Sequence, residues 1–129
     1  MEENTRARAW SDQELTAIGR AEELRIGTVR DSALVFVPIW VVRVGSRLFI
    51  RSFRGAGAKW YARAIDQGHA VIEAGGITQD VSLTGVGDTL QTEIDRSYRD
   101  KYGRYGDSYI TPMTASAAVA TTLELTRGS

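Results

Sequence analysis

The run Val35–Val44, VFVPIWVVRV, constrains this chain more than any other segment. It is β-branched and aromatic almost throughout, a composition too apolar for a strand wetted on one face. Pro38 has no N–H to offer a ladder, so an unbroken central strand is forbidden there and the run must bulge or leave the sheet edge. Gly45-Ser46 follows, and Arg47-Leu48-Phe49-Ile50-Arg51 resumes the apolar pattern. A two-residue Gly-X connection suits a type II′ turn, which makes the two runs antiparallel neighbours.

Further strands are expected on either side. Leu24, Ile26 and Thr28 alternate with Arg25 and Gly27 as a short half-buried strand, and Arg30-Asp31-Ser32 forms a turn. His69–Ala74 and Ile77–Thr84 flank Gly75-Gly76, a second hairpin signature, and Val119–Leu125 forms a closing strand. Ser11 and Glu14 make a capping box, with Trp10 and Leu15 as its hydrophobic staple, so a helix starts at Asp12 and runs to about Ala21. A second helix spans Ala58–Gln67 and stops at Gly68. Leu90, Ile94, Tyr98 and Tyr102 recur at intervals of four, which predicts a third over Asp88–Tyr102, capped by Asp88 and stopped by Gly103. Gly103–Pro112 is expected as a loop and Met113–Ala118 as a single helical turn. Six strands and three helices with antiparallel hairpins dominant indicate an α+β fold built on a small barrel. At 129 residues there is one domain, 10–126. Residues 1–9 carry too little apolar area to offset ordering entropy and are expected to be disordered.

Composition narrows the chemistry. The chain has no cysteine and one histidine, which excludes a disulfide scaffold, a thiol nucleophile and a zinc site of Cys ligands, so no metal site is expected. Sixteen basic residues balance sixteen acidic ones, so no overall field draws the chain to nucleic acid or an anionic membrane. The longest uncharged apolar stretch, Ala33–Val42, is about half of the ~20 residues a membrane span needs. A soluble, cytoplasmic protein acting on a small molecule is the expectation.

The segment Arg51–Tyr61 holds the inventory of an anion site. Arg51, Arg54 and Lys59 supply charge, Ser52 a hydroxyl, and the glycines a backbone that can approach a ligand, all leading into a helix N-terminus with its positive dipole end. Trp40 and Trp60 could stack on a flat ring, although core packing is the commoner fate of a strand tryptophan. Tyr98, Tyr102, Tyr105 and Tyr109 cluster with Arg96, Arg99, Lys101 and Arg104. Tyr98 shares the apolar stripe of Leu90 and Ile94, whereas Tyr102 and Tyr105 are placed to line a cavity. Histidine is the side chain type suited to acid–base work at physiological pH, and the single one here, His69, stands at a helix-to-strand junction. Asp95 and Arg99, four apart, are expected to form a surface ion pair.

The run Val44–Tyr61, VGSRLFIRSFRGAGAKWY, resembles the strand, glycine-turn and Trp-Tyr helix segment of deazaflavin-dependent nitroreductases. Those proteins belong with the FMN-binding split β-barrels that include pyridoxamine phosphate oxidase. With Pro38–Val44 upstream and Ile94–Gly103 downstream, the chain from Trp10 to Leu125 is more closely similar to an uncharacterised bacterial family of about this length assigned to the same superfamily. The resemblance implies a six-stranded split barrel with flanking helices, usually homodimeric, that holds FMN or a deazaflavin coenzyme in a groove. It places Arg51, Ser52, Arg54, Gly55, Ala56, Lys59 and Trp60 on the phosphate loop. Tyr98 and Tyr102 fall near substrate-facing tyrosines, with His69 as a further acid–base candidate and Trp40 and Tyr105 on the substrate. The activity implied is a small-molecule oxidoreductase. The nitroreductases carry a Gly-Arg-Lys-Ser-Gly turn where this chain has Val29–Leu34, which leaves an alternative: a cofactor-free barrel using the groove for acid–base catalysis, as an isomerase or cyclase, or for ligand binding.

Overall fold

The computed structural model describes residues 9–128, so the expectation for residues 1–9 falls almost wholly outside the described chain. Helix α1 (Asp12–Arg20) leads into strands β1 (Leu24–Arg30), β2 (Ala33–Ile39), β3 (Val41–Val44) and β4 (Arg47–Ile50). A 3₁₀ turn (Gly55–Gly57) and α2 (Lys59–Gln67) precede the hairpin β5 (His69–Ala74) and β6 (Ile77–Gly85). Then come α3 (Gln91–Tyr102), a 3₁₀ turn (Gly103–Tyr105), α4 (Asp107–Thr114), the short α5 (Ser116–Val119) and β7 (Leu123–Arg127).

All pairings are antiparallel and form one seven-stranded sheet in the order β2-β1-β5-β6-β7-β4-β3. The expected count of six is corrected to seven because the run Val35–Val44 divides. Its first part pairs with β1, its second with β4, and Trp40 alone lies between. β2 and β3 are therefore the two edges of the sheet and yet are joined through a single residue. That is possible only if the sheet curls until its edges meet, so the half-barrel is closed by the chain itself and not by a ladder of hydrogen bonds.

The turns follow from residue chemistry. Gly45 at φ 61° opens the β3–β4 hairpin, and Gly75 and Gly76 at φ 57° and 81° turn β5 into β6. Asp31 and Ser32 hold φ 51° and 67° between β1 and β2. The capping box of α1 forms, with the Ser11 and Glu14 backbone N–H groups each donating to the other's side chain at 2.9 and 3.0 Å. Three expectations are corrected. α3 begins at Gln91 and not at Asp88, after Leu90 in the left-handed region. The segment expected as a loop to Pro112 contains α4, with Pro112 inside it, and the last strand starts four residues later than expected.

Two cores result. The first fills the curled sheet: Leu24, Ile26, Leu48, Ile50, Ile72 and Leu125 point inward, and α1 and α2 close over them with Leu15, Ile18, Trp60 and Ala64. The second lies outside, where Val42 and Phe49 on β3 and β4 meet Ile94, Tyr98 and Tyr102 of α3 and Ile110 and Met113 of α4. No helix among the described residues is long and apolar enough to cross a membrane.

Candidate functional site

A cleft of about 350 Å³ opens at the seam where β2 passes into β3. Its walls come from Val37, Pro38, Ile39 and Trp40, from Arg51, Phe53 and Arg54 after β4, from Ala58 and Trp60 at the start of α2, and from Tyr109 and Met113 on α4. Glu23, just before β1, completes it. The volume falls within the roughly 300–1,000 Å³ usual for ligand sites, and the lining is mostly apolar and aromatic with a few charges, the usual composition of such sites.

The aromatic wall is ordered by stacking. Trp40 lies on Tyr102 with centroids 3.9 Å apart and planes 3° apart, and Tyr105 and Tyr109 stand 5.7 and 6.2 Å from the same indole. Phe53 and Tyr109 approach to 6.3 Å at 45°, and both are about half exposed. The Glu22 carboxylate accepts from the Tyr105 hydroxyl and the Arg104 guanidinium, and these contacts, the tyrosine first, hold its carboxyl below the usual range.

The loop after β4 is fixed from within. The Ser52 hydroxyl donates to the Gly55 carbonyl at 2.7 Å, the Gly55 N–H donates back to the Ser52 carbonyl at 3.0 Å, and Gly55 sits at φ 72°, where a side chain is strained. The Ser52 N–H donates to Thr121 Oγ1 at 2.8 Å. The Arg51 side chain is wholly buried and donates to Thr122 Oγ1, Asp95 Oδ1, the Met113 carbonyl and Gln91 Oε1 at 3.0, 2.6, 3.0 and 2.7 Å. Asp95 thus pairs with Arg51 and not with Arg99, which corrects the expected surface pair. Sequence spacing sees only partners on the same helix, whereas Arg51 arrives from the loop just after β4.

The charge of Arg51 is compensated inside the protein. Arg54 and Lys59 are exposed and have no ion-pair or hydrogen-bond partner among the described residues. The first turn of α2 has no side-chain cap, since Ala58 occupies the cap position, so the N–H groups of Lys59, Trp60 and Tyr61 carry their partial positive charge uncompensated by a side chain. Ala56 is exposed on the 3₁₀ turn that precedes α2.

The remaining candidates are dispersed. Tyr98 and Tyr102 are buried in the second core, and burial raises both phenol pKa values above the usual range. The Tyr98 hydroxyl has no hydrogen-bond partner of ordinary geometry among the described residues. His69 is exposed and lines a different groove with Gly27, Gln67 and Asp80, away from the aromatic cleft. Phe53, Tyr109 and Glu23 line the cleft without having been singled out for it. The first two carried a signal in the basic loop and the tyrosine cluster, while Glu23 carried none, because only the curl of the sheet brings it there.

An antiparallel sheet curled into a split half-barrel, flanked by helices and cleft at the seam, defines the class of this protein. Among solved structures it is similar to an F420-H2 dependent reductase (TM-score 0.61, 12% identity, 81% of this chain and 93% of the other). It is also similar to a putative pyridoxamine 5'-phosphate oxidase from Listeria innocua (0.58, 9%, 91% and 90%) and to an F420 reductase (0.57, 10%, 92% and 94%). Likeness at this identity establishes the fold alone. Residues 14–125 match the family described as "uncharacterized protein conserved in bacteria (DUF2255)", and the chain belongs to that family. No curated protein matches it by sequence.

Proposed function

We propose that the protein is a small-molecule oxidoreductase that holds FMN or a deazaflavin coenzyme in the seam cleft. The observation that carries this reading is the pairing of an aromatic-walled cleft with an uncompensated positive edge: Trp40, Phe53, Trp60 and Tyr109 beside Arg54 and the uncapped start of α2, whose first residue is the exposed Lys59. The donor set fits the group, since backbone N–H groups at a helix start and two unpaired cations suit a phosphate, and the flat walls suit a fused ring. Arg51, Ser52 and Gly55 hold the loop in shape, Trp40 faces the substrate, and Tyr105 buttresses Trp40 from beside it. When bound, such a coenzyme supplies hydride or electron-pair transfer, while the protein supplies binding, orientation and polarity. Homodimeric assembly and a cytoplasmic location are parts of the same proposal, drawn from the family resemblance.

The test is a titration of the purified protein with FMN and, separately, with the deazaflavin coenzyme, read by absorbance and melting temperature, because a ligand that binds the folded state must stabilise it. Arg54→Ala combined with Lys59→Ala is expected to weaken binding about tenfold or more, as loss of charge-assisted hydrogen bonds requires, while leaving the melting temperature of the free protein within a degree or two. Unchanged affinity in the double variant refutes the phosphate assignment. Glu23 favours a second reading, since a carboxylate lining the cleft offers an acid–base group to a cofactor-free isomerase or cyclase. No response to either coenzyme selects that reading.

A further inference from the structure

We propose that the Tyr102 hydroxyl is a positioning group for the cleft: it fastens two separate chain segments that carry lining residues, Glu22-Glu23 and Trp40-Val41, and thereby fixes the stance of the Trp40 ring toward a bound molecule. The inference rests on the reading of the seam cleft as a ligand site.

The seam explains why such a group is needed. β2 and β3 are edges that share no ladder, so no backbone pairing between them fixes the single residue that joins them. The last turn of α3 supplies the missing bonds. The Val41 N–H donates to the Tyr102 hydroxyl oxygen at 3.2 Å, and Lys101 Nζ donates to the Val41 carbonyl at 2.7 Å. Tyr102 has one proton to give. The Glu22 carbonyl at 3.0 Å is closer than the Val41 carbonyl at 3.2 Å, so with Val41 N–H already donating in, one hydroxyl bridges the entry to β1 and the start of β3. Both segments lead directly to the cleft, through Glu23 and Trp40.

The ring completes the brace. Tyr102 covers one face of Trp40 in a nearly parallel stack. Tyr105 lies 5.7 Å from Trp40 but only 6.4 Å from Tyr102, and a ring on the far face of the indole would stand farther from Tyr102 than that. Tyr105 is therefore beside the stack, and away from Tyr102 the indole lines the cleft together with Tyr109, 6.2 Å from it. Burial raises the Tyr102 pKa, so the phenol remains protonated and hydrogen-bonded across the physiological range. A hydroxyl committed in this way orients Trp40 and is not at hand to move a proton.

The experiment labels the protein with 5-fluorotryptophan, giving one ¹⁹F resonance for each of the three tryptophans, with the Trp40 signal assigned by Trp40→Phe. Tyr102→Phe keeps the stack and removes the bridge. The expected result is a Trp40 resonance that shifts or broadens while those of Trp10 and Trp60 stay in place, with FMN or deazaflavin affinity about fivefold weaker. An unmoved Trp40 resonance, or three resonances that move alike, overturns the proposal, and so does a moved resonance with undiminished coenzyme affinity. If the wild type binds neither coenzyme, the oxidoreductase reading fails on its own, and the resonances still decide the role of Tyr102. Should Tyr102→Phe not fold, the wild type decides: the Val41 amide must exchange at least about a hundredfold more slowly than in a free peptide, and an unprotected amide overturns the bridge.

Discussion

Arg51→Met removes a cation that the sequence presents as a ligand-binding residue and the structure binds internally. Methionine replaces most of the aliphatic stem, so little cavity is created and the loss is mainly polar. Thr122 Oγ1 keeps a partner, its one proton going to the Val119 carbonyl at 2.7 Å, while Gln91 Oε1 loses its guanidinium donor and, on a half-buried side chain, turns to water. The Met113 carbonyl loses its guanidinium donor, a cost of about 1–3 kcal/mol for a buried group. Asp95 loses its cation, but its side chain is 23% exposed and can turn to water, so the total should fall near the low end of the 3–5 kcal/mol typical of a broken buried pair, about 3 kcal/mol. With an urea slope of about 2 kcal/mol per molar, the unfolding midpoint followed by circular dichroism should drop by about 1.5 M. Arg54→Met, at an exposed and unpartnered site, should stay within about 0.5 kcal/mol of wild type and act only on ligand affinity. The reasoning is refuted if Arg51→Met costs less than about 1 kcal/mol, or if the two variants destabilise alike.

Two further outcomes follow from the packing. A Cβ added at Gly75 would sit 2.3 Å from the Ala17 carbonyl oxygen of α1, a backbone atom that cannot swing aside, and the residue is at φ 57°; Gly75→Ala should cost about 2–4 kcal/mol. Gly76→Ala, at φ 81° with nothing within 4 Å, should cost only about 1 kcal/mol, and equal melting temperatures for the two would contradict the contact between α1 and the hairpin turn. Tyr98 and Tyr102, raised by burial, ionise in the unfolded chain near pH 10 but not in the folded one. Their contribution is complete below pH 10, and above it stability falls by about 1.4 kcal/mol per pH unit for each fully buried phenol. A spectrophotometric titration should therefore show these two of the five tyrosines ionising only together with unfolding, and five reversible ionisations in the folded protein would contradict their burial.

Much of the secondary structure was legible because its causes are local. The Ser11–Glu14 capping box, the Gly45 and Gly75-Gly76 turns and the period of Ile94, Tyr98 and Tyr102 depend on residues a few positions apart. What escaped was structure without local punctuation: α4 forms across Gly106 and Pro112, two residues that argue against a helix, and its Ile110 and Met113 are held by packing on the second core.

By itself the sequence determined that this is an antiparallel α+β chain without thiol chemistry, carrying one glycine-bearing basic loop that leads into a helix. Hydrophobic alternation, turn residues and composition are properties of neighbours along the chain, and they suffice for that. Which charges remain available was decided only in three dimensions. Arg51, Arg54 and Lys59 are all cations in one short segment, but the sheet's curl buries the first against Asp95 and Gln91 and leaves the other two exposed. The same curl makes Trp40 a hinge between two edges and brings Glu23 and Tyr109 to one cleft, because a closed sheet sets distance by register and curvature, not by separation in sequence.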